Sequence, residues 1–103
     1  MSVYNGERWL SESIQSVLGQ TFTDFELIVV NDGSTDGSLE IIEQFADNDS
    51  RIRIFDKVNT GLADSLNYGI VRARGDWIAR IDADDLCESR RLEKQIKLIC
   101  SDK

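Results

Sequence analysis

Four apolar residues in a row, Leu27-Ile28-Val29-Val30, lie between two stretches whose apolar residues recur with helical spacing. A run this short and this β-branched reads as a strand buried on both faces. Before it, Leu10, Ile14, Val17 and Leu18 form the stripe of an amphipathic helix over residues 7–20. After it, Leu39, Ile42, Phe45 and Ala46 mark a second helix. The pattern then repeats. Residues 51–55 alternate as a shorter strand, and Leu62, Leu66, Ile70 and Ala73 share one face of a helix, with Thr60 placed to cap it. "DWIARIDADD" predicts a fourth strand ending in acid, and Leu92, Ile96 and Ile99 face inward on a last helix. With a strand stub ahead of residue 7, the order is strictly alternating β and α. That order implies an α/β fold: three layers, α/β/α, around a mostly parallel, Rossmann-like sheet of about four strands. The crossovers are expected to be right-handed. One domain over residues 1–103 suits the length.

Charge and composition exclude several functions. The chain has 19 acidic and 12 basic residues and a net charge of −7, which argues against a nucleic-acid surface, since that needs clustered Lys and Arg. No apolar run approaches the ~20 residues of a membrane span. "MSVYNGERWL" has neither the basic nor the apolar region of a signal peptide. The chain contains no histidine, so imidazole catalysis and His-rich metal sites are excluded within it. With Cys87 and Cys100 on one helix, thirteen steps of about 1.5 Å separate them by roughly 20 Å. That is too far for a disulfide, so a reducing, cytoplasmic setting is expected.

"NDGSTDGSLEIIE", residues 31–43, nearly matches a calcium loop, with Asp32, Ser34, Asp36, Gly37 and Glu43 at the ligand and turn positions. Such a loop needs a helix before it, and "FELIVV" has strand composition. The stretch therefore reads as a strand–turn–helix loop. Ser34, Thr35 and Asp36 are capping candidates, and Asp32 stands at the strand end. In parallel α/β sheets ligands bind outside the carboxyl ends of the strands. Three polar segments fall there: Tyr4-Asn5 with Glu7, Asn31-Asp32, and Asp82 to Asp85. Asp82, Asp84 and Asp85 repel one another unless water or a cation compensates. Asp-x-Asp at a strand end suits a hard divalent cation shared with substrate phosphates. Its bland alternative is a solvated acidic turn. Of the arginines, Arg80 leads into that acid cluster, while Arg72 and Arg74 read as solvated or surface-paired. Asn59 and Gly61 read as loop chemistry with a ligand role in reserve, and Trp9 and Trp77 as packing residues. A nucleotidyltransferase would also use an acid pair and a metal, but "VYNGER" is a poor basic phosphate loop.

"VYNGERWLSESIQSVLGQTFTDFELIVVNDGSTDGS", "NTGLADSLNYGIVRARGDWIARIDADD" and "RLEKQI" together resemble the family 2 glycosyltransferases of the GT-A fold. The resemblance runs over essentially the whole chain, with three motifs in order. It implies the nucleotide-sugar-binding half of an enzyme of polysaccharide biosynthesis. That enzyme would transfer sugar with inversion from a nucleotide diphosphate donor, UDP-linked in many members, using Mg²⁺ or Mn²⁺. It implies that Tyr4 and the backbone at Val3 line the base pocket and that Asn5 and Glu7 shape the nucleotide site. It further implies that Asp32 bonds the base, Asp82 the ribose and Asp84 the metal of a DXD motif, with Asp85 an accessory acid. The family has more apolar residues before Tyr-Asn, so the first strand is a stub, although it is expected centrally in the sheet. The acceptor-binding half, with its general base, is expected beyond Lys103, leaving no catalytic base here. The implied acceptor of the whole enzyme is a saccharide or lipid-linked hydroxyl, and the whole enzyme could sit peripherally at the cytoplasmic membrane face. Uncovered faces predict self-association into a homo-oligomer. The competing reading is a non-catalytic α/β binding or structural module.

Overall fold

The computed structural model describes residues 1–101. Seven elements follow one another: β1 (Ser2–Val3), α1 (Glu7–Leu18), β2 (Leu27–Asp32), α2 (Ser38–Asn48), β3 (Ile52–Lys57), α3 (Leu62–Arg72) and α4 (Arg91–Ser101). The strands form one parallel sheet in the order β1-β2-β3. Ser2 and Val3 lie opposite Val30 and Asn31, and Leu27 to Asp32 lie opposite Ile52 to Lys57 in unbroken register. Met1 extends the first ladder, donating to Ile28 O at 2.9 Å and accepting from Val30 N.

Because β2 is covered on both faces, its alternate residues bury in opposite directions. Leu27 and Val29 join Val3, Leu10, Ile14, Val17, Ile42 and Ile52 in the main core, beneath α1 and α2. Ile28 and Val30 face α3, where a Cβ on Gly69 would lie 3.5 and 3.3 Å from their methyl groups. The sheet is thus sandwiched, as the alternation of elements requires.

Three sequence expectations are corrected. The fourth strand does not form: residues 77–82 are irregular, and Trp77 and Ile78 are largely exposed, although Ile81 still reaches the core. A strand there needs a neighbour, and β1 offers only two paired residues. With that pairing absent, β1 lies at the sheet edge and not at its centre. Finally, α3 does not pack through Leu62 and Ile70, which are 53% and 49% exposed, but through buried Ser65 and Gly69. Small residues four apart let the helix backbone approach the β-branched surface of β2. Leu66, Ile70, Ile96 and Ile99 instead line an apolar groove of about 960 Å³ between α3 and α4, with Trp77 and Ile78 along it. Cys87 precedes α4 and is buried, Cys100 lies on it and is exposed, and both are free thiols.

Candidate functional site

At the carboxyl ends of the strands, the loop after β1 and the loop after β2 are bound to each other through Asn5, Gly6 and Glu7 on one side and Ser34, Thr35, Asp36 and Ser38 on the other. Asn5 N donates to Ser34 Oγ at 3.0 Å, and the Asn5 side chain accepts from Thr35 N at 2.8 Å. Gly6 N donates to Ser38 Oγ at 3.0 Å, and Glu7 N to Asp36 Oδ2 at 3.2 Å. Asp36 also accepts from Ser38 N at 2.9 Å. Burial alone would raise its carboxyl pKa, but these donors hold it below the usual carboxylate range. Ser34, Thr35 and Asp36 therefore act across space on the segment that starts α1; the cap position of α2 falls to Gly37 with no side-chain cap bond, and of the three only Asp36 bonds locally, to Ser38 N. A strand, and not a helix, precedes them, which removes the calcium loop.

Among the described residues Asp32 is the most enclosed acid, only 2% exposed. Its Oδ1 accepts from Lys57 Nζ at 2.7 Å and Thr60 N at 2.9 Å. Its Oδ2 accepts from Gly61 N at 3.1 Å and, more weakly, from Asn59 Nδ2 at 3.4 Å. Burial opposes the charge, yet hydrogen bonds from Lys57, Thr60, Ser65 and Gly61 outweigh it and hold the carboxyl at about 2. Asn59 Nδ2 also bonds Asp32 O at 3.0 Å, so residues 32–33 and 59–61 form one wall. Gly33 makes this closeness attainable: its φ is +70°, and a Cβ there would lie 2.6 Å from Asn59 N. The capping role read for Thr60 falls to Gly61, which has φ of 102°. Thr60 instead bonds Lys57 and Asp64.

The acidic turn is built differently. Asp85 N bonds Asp82 O at 3.1 Å, closing a turn. Two serines of α1 hold it: Ser13 Oγ donates to Asp82 O at 3.1 Å, and Ser16 Oγ accepts from Cys87 N at 2.9 Å. Asp82 pairs with Arg80 at 3.0 Å, both partners substantially exposed. Asp84 and Asp85 are exposed, and the Asp84 carboxylate accepts no hydrogen bond among the described residues.

These pieces meet around a cavity of about 450 Å³ lined by Ser2, Tyr4, Asn5, Gly6, Trp9, Asp32, Asn59, Gly61, Leu62, Asp82, Ala83 and Asp84. Tyr4, Asn5, Asp32, Asp82 and Asp84 thus come together from three separate stretches of chain, with residues 59–62 as a fourth. Val3 and Glu7 do not line it. Val3 is wholly buried in the core beneath, and Glu7 lies against Gly37. Among the described residues no group of three or more His, Cys, Asp or Glu could hold a metal ion. One or two carboxylates, open to solvent, fit a cation that arrives with substrate phosphates and completes its shell with water. Sequence reasoning missed Lys57 and took Trp9 for packing. The signal for Lys57 was its place at the end of the alternating strand, directly across from Asp32.

The chain matches Glycosyl transferase family 2 over residues 1–103. It belongs to that family. Among its relatives is the putative glycosyltransferase EpsE of Bacillus subtilis, 50% identical over 101 residues, which cover 96% of this chain. Another, an uncharacterized glycosyltransferase of Haemophilus influenzae, is 42% identical over 100 residues. The family 2 chain spans 36% and 40% of the length of these two relatives. The crystal structure of S. aureus TarS 1-349 with UDP-GlcNAc superposes with a TM-score of 0.90 at 27% identity, over 97% of this chain and 30% of that one. The mannosyltransferase PcManGT from Pyrobaculum calidifontis superposes with a TM-score of 0.85 at 24% identity, over 93% of this chain and 30% of that one, and shares the fold. The sheet and helices are those of a GT-A glycosyltransferase, and no helix among the described residues is long and apolar enough to cross a membrane.

Proposed function

We propose that this chain is the donor-binding part of an inverting glycosyltransferase that draws its sugar from a nucleotide diphosphate, with UDP-sugars as the donor class. The observation that carries this reading is the convergence of Tyr4, Asn5, Asp32, Asp82 and Asp84 on one cavity at the carboxyl ends of a parallel sheet. TarS, at 27% identity, is solved with UDP-GlcNAc, which supports the donor class. Tyr4 and the chain at Val3 lie at the base end with the wall that Asp32 anchors; Asn5 and Glu7 shape the loop beside them. Asp82 faces the ribose, and Asp84, as the second acid of a DXD motif, binds Mg²⁺ or Mn²⁺ at the diphosphate. The cation would neutralise charge on the departing diphosphate. Trp9 and Leu62 supply apolar walls that narrow water's access.

No residue here is assigned as the base that deprotonates the acceptor, so the chain alone is expected to bind donor without turnover. The acceptor class of the whole enzyme is a saccharide or lipid-linked hydroxyl, its process polysaccharide assembly and its place the cytoplasm. The apolar groove beside Trp77 and Ile78 supports self-association; a clean monomer by light scattering at high concentration would remove that part. The non-catalytic module has no observation in its favour beside the family match.

The test is a thermal-shift titration with UDP, with and without Mn²⁺, on wild type and Asp84→Ala. Ligand at one hundred times its Kd should stabilise the fold by about 2.7 kcal/mol. Metal-dependent stabilisation that disappears in Asp84→Ala is expected. A folded wild type that responds to neither UDP nor UDP with Mn²⁺ would sink the reading.

A further inference from the structure

Lys57 lies opposite Asp32 in the parallel ladder, at the last residue of β3. Its side chain is 12% exposed. The ammonium has three protons, and four acceptors surround it: Asp32 Oδ1 at 2.7 Å, Val58 O at 2.9 Å, Thr60 Oγ1 at 2.5 Å and Ser65 Oγ at 3.4 Å. Asp32, in turn, receives Lys57 and three donors from residues 59–61. A carboxylate offers about four lone-pair sites; Lys57 and Thr60 fill those of Oδ1, while Oδ2 holds Gly61 at 3.1 Å and Asn59 only at 3.4 Å. Lys57 itself does not line the cavity, whereas Asn59, Gly61 and Leu62 do.

We propose that Lys57 is a positioning residue for the nucleotide base: it clamps Asp32 to the 59–61 loop and so sets the wall against which the base lies. The clamp fixes the Asp32 carboxylate, which lines the cavity, together with the groups beside it that the ligand meets. Asn59 offers its side chain, and Gly61 and Leu62 offer main chain and apolar surface. This rests on the donor-binding reading above and adds a residue to it. It also divides the cavity into two independent ends. Lys57 serves the base end, while the diphosphate end depends on the open acidic turn, whose contacts run to α1 and not to the clamp.

The division gives a test that a general loss of stability would not imitate. Binding of UMP and, separately, of Mn²⁺-pyrophosphate is measured by calorimetry on wild type, Lys57→Met and Asp84→Ala. Losing the preorganised wall should weaken UMP by about tenfold or more in Lys57→Met while Mn²⁺-pyrophosphate stays within about twofold. Asp84→Ala should do the reverse. Lys57→Met that binds UMP like wild type, or that loses both ligands equally, overturns the proposal while the donor reading stands. A wild type that binds neither ligand overturns both. Should Lys57→Met fail to fold by far-UV circular dichroism, Lys57→Gln, uncharged but still a donor, takes its place. The same UMP-selective loss is then expected, and unchanged UMP binding in that variant overturns the proposal.

Discussion

Asp32 and Asp84 are the same residue type on the same cavity, yet their surroundings are opposite. Asp32 is 2% exposed and accepts from Lys57, Thr60, Gly61 and Asn59. Asp84 stands exposed in a turn with no donor to its carboxylate among the described residues. A buried carboxylate is tolerated only when its lone pairs are filled. An exposed one keeps its lone pairs for whatever arrives. The first is therefore an architectural charge and the second an available one, and the cavity needs both. One end must be rigid enough to select, and the other open enough to take a cation with its phosphates.

The largest effect that would break this contrast is on stability. Asp32→Ala leaves the Lys57 ammonium and two main-chain N–H groups without their acceptor. It should cost about 3–5 kcal/mol in urea unfolding, the range for removing one partner of a buried pair. Asp84→Ala, measured alongside, should stay within about 0.5 kcal/mol. Equal costs would erase the distinction.

Acid should act through the same residue. The ordinary carboxyl value of 3.8 falls to about 2 for Asp32 in the fold. A depressed carboxyl contributes stability above its unfolded value and loses it as pH falls through the folded one. Roughly 2 kcal/mol should disappear between about pH 4 and pH 2. Glu26, Asp36 and Asp49 are also held low and add in the same direction. Asp32→Asn should therefore show a shallower, but not flat, loss in unfolding curves taken at pH 5 and pH 2.5. A loss as steep as wild type's would remove Asp32 from the account.

Glycines sharpen the comparison further. Gly33 has φ of +70° and would place a Cβ 2.6 Å from Asn59 N, so Gly33→Ala should cost about 2 kcal/mol. Gly75, in the irregular segment, would place its Cβ at an ordinary 3.5 Å from Trp77 O. Gly75→Ala should be neutral or stabilising by up to about 1 kcal/mol. Melting temperatures of the two variants decide this. The smallest effect is expected at Arg80, whose pair with Asp82 is 55% and 43% exposed. Arg80→Ala should change stability by less than about 0.5 kcal/mol, and added salt should change it little.

Much of this was legible from residue order. Helical spacing located α1, α2, α3 and α4, and the β-branched run located β2, because such patterns reflect backbone periods of 3.6 and 2 residues. The strand-end rule places Tyr4-Asn5 with Glu7, Asn31-Asp32 and Asp82 to Asp85 at one edge; of these the cavity takes Tyr4, Asn5, Asp32, Asp82 and Asp84 and leaves Glu7, Asn31 and Asp85 out. What was not legible depends on partners distant in sequence. "DWIARIDADD" has the letters of a strand, but a strand also needs a neighbour, and Ser2–Val3 pairs over two residues only. Likewise Leu62 and Ile70 form a sound apolar stripe, but the surface of Ile28 and Val30 accepted Ser65 and Gly69 instead.

The sequence by itself determined the alternation of elements, the parallel sheet and the edge where chemistry gathers, since each follows from local periodicity and chain direction. Tertiary structure alone decided which strand lacked a partner, which face of α3 turned inward, and that Lys57 would meet Asp32. Those outcomes rest on pairing and burial between segments some 25 or more residues apart, where the energy of a contact depends on what the rest of the chain places beside it.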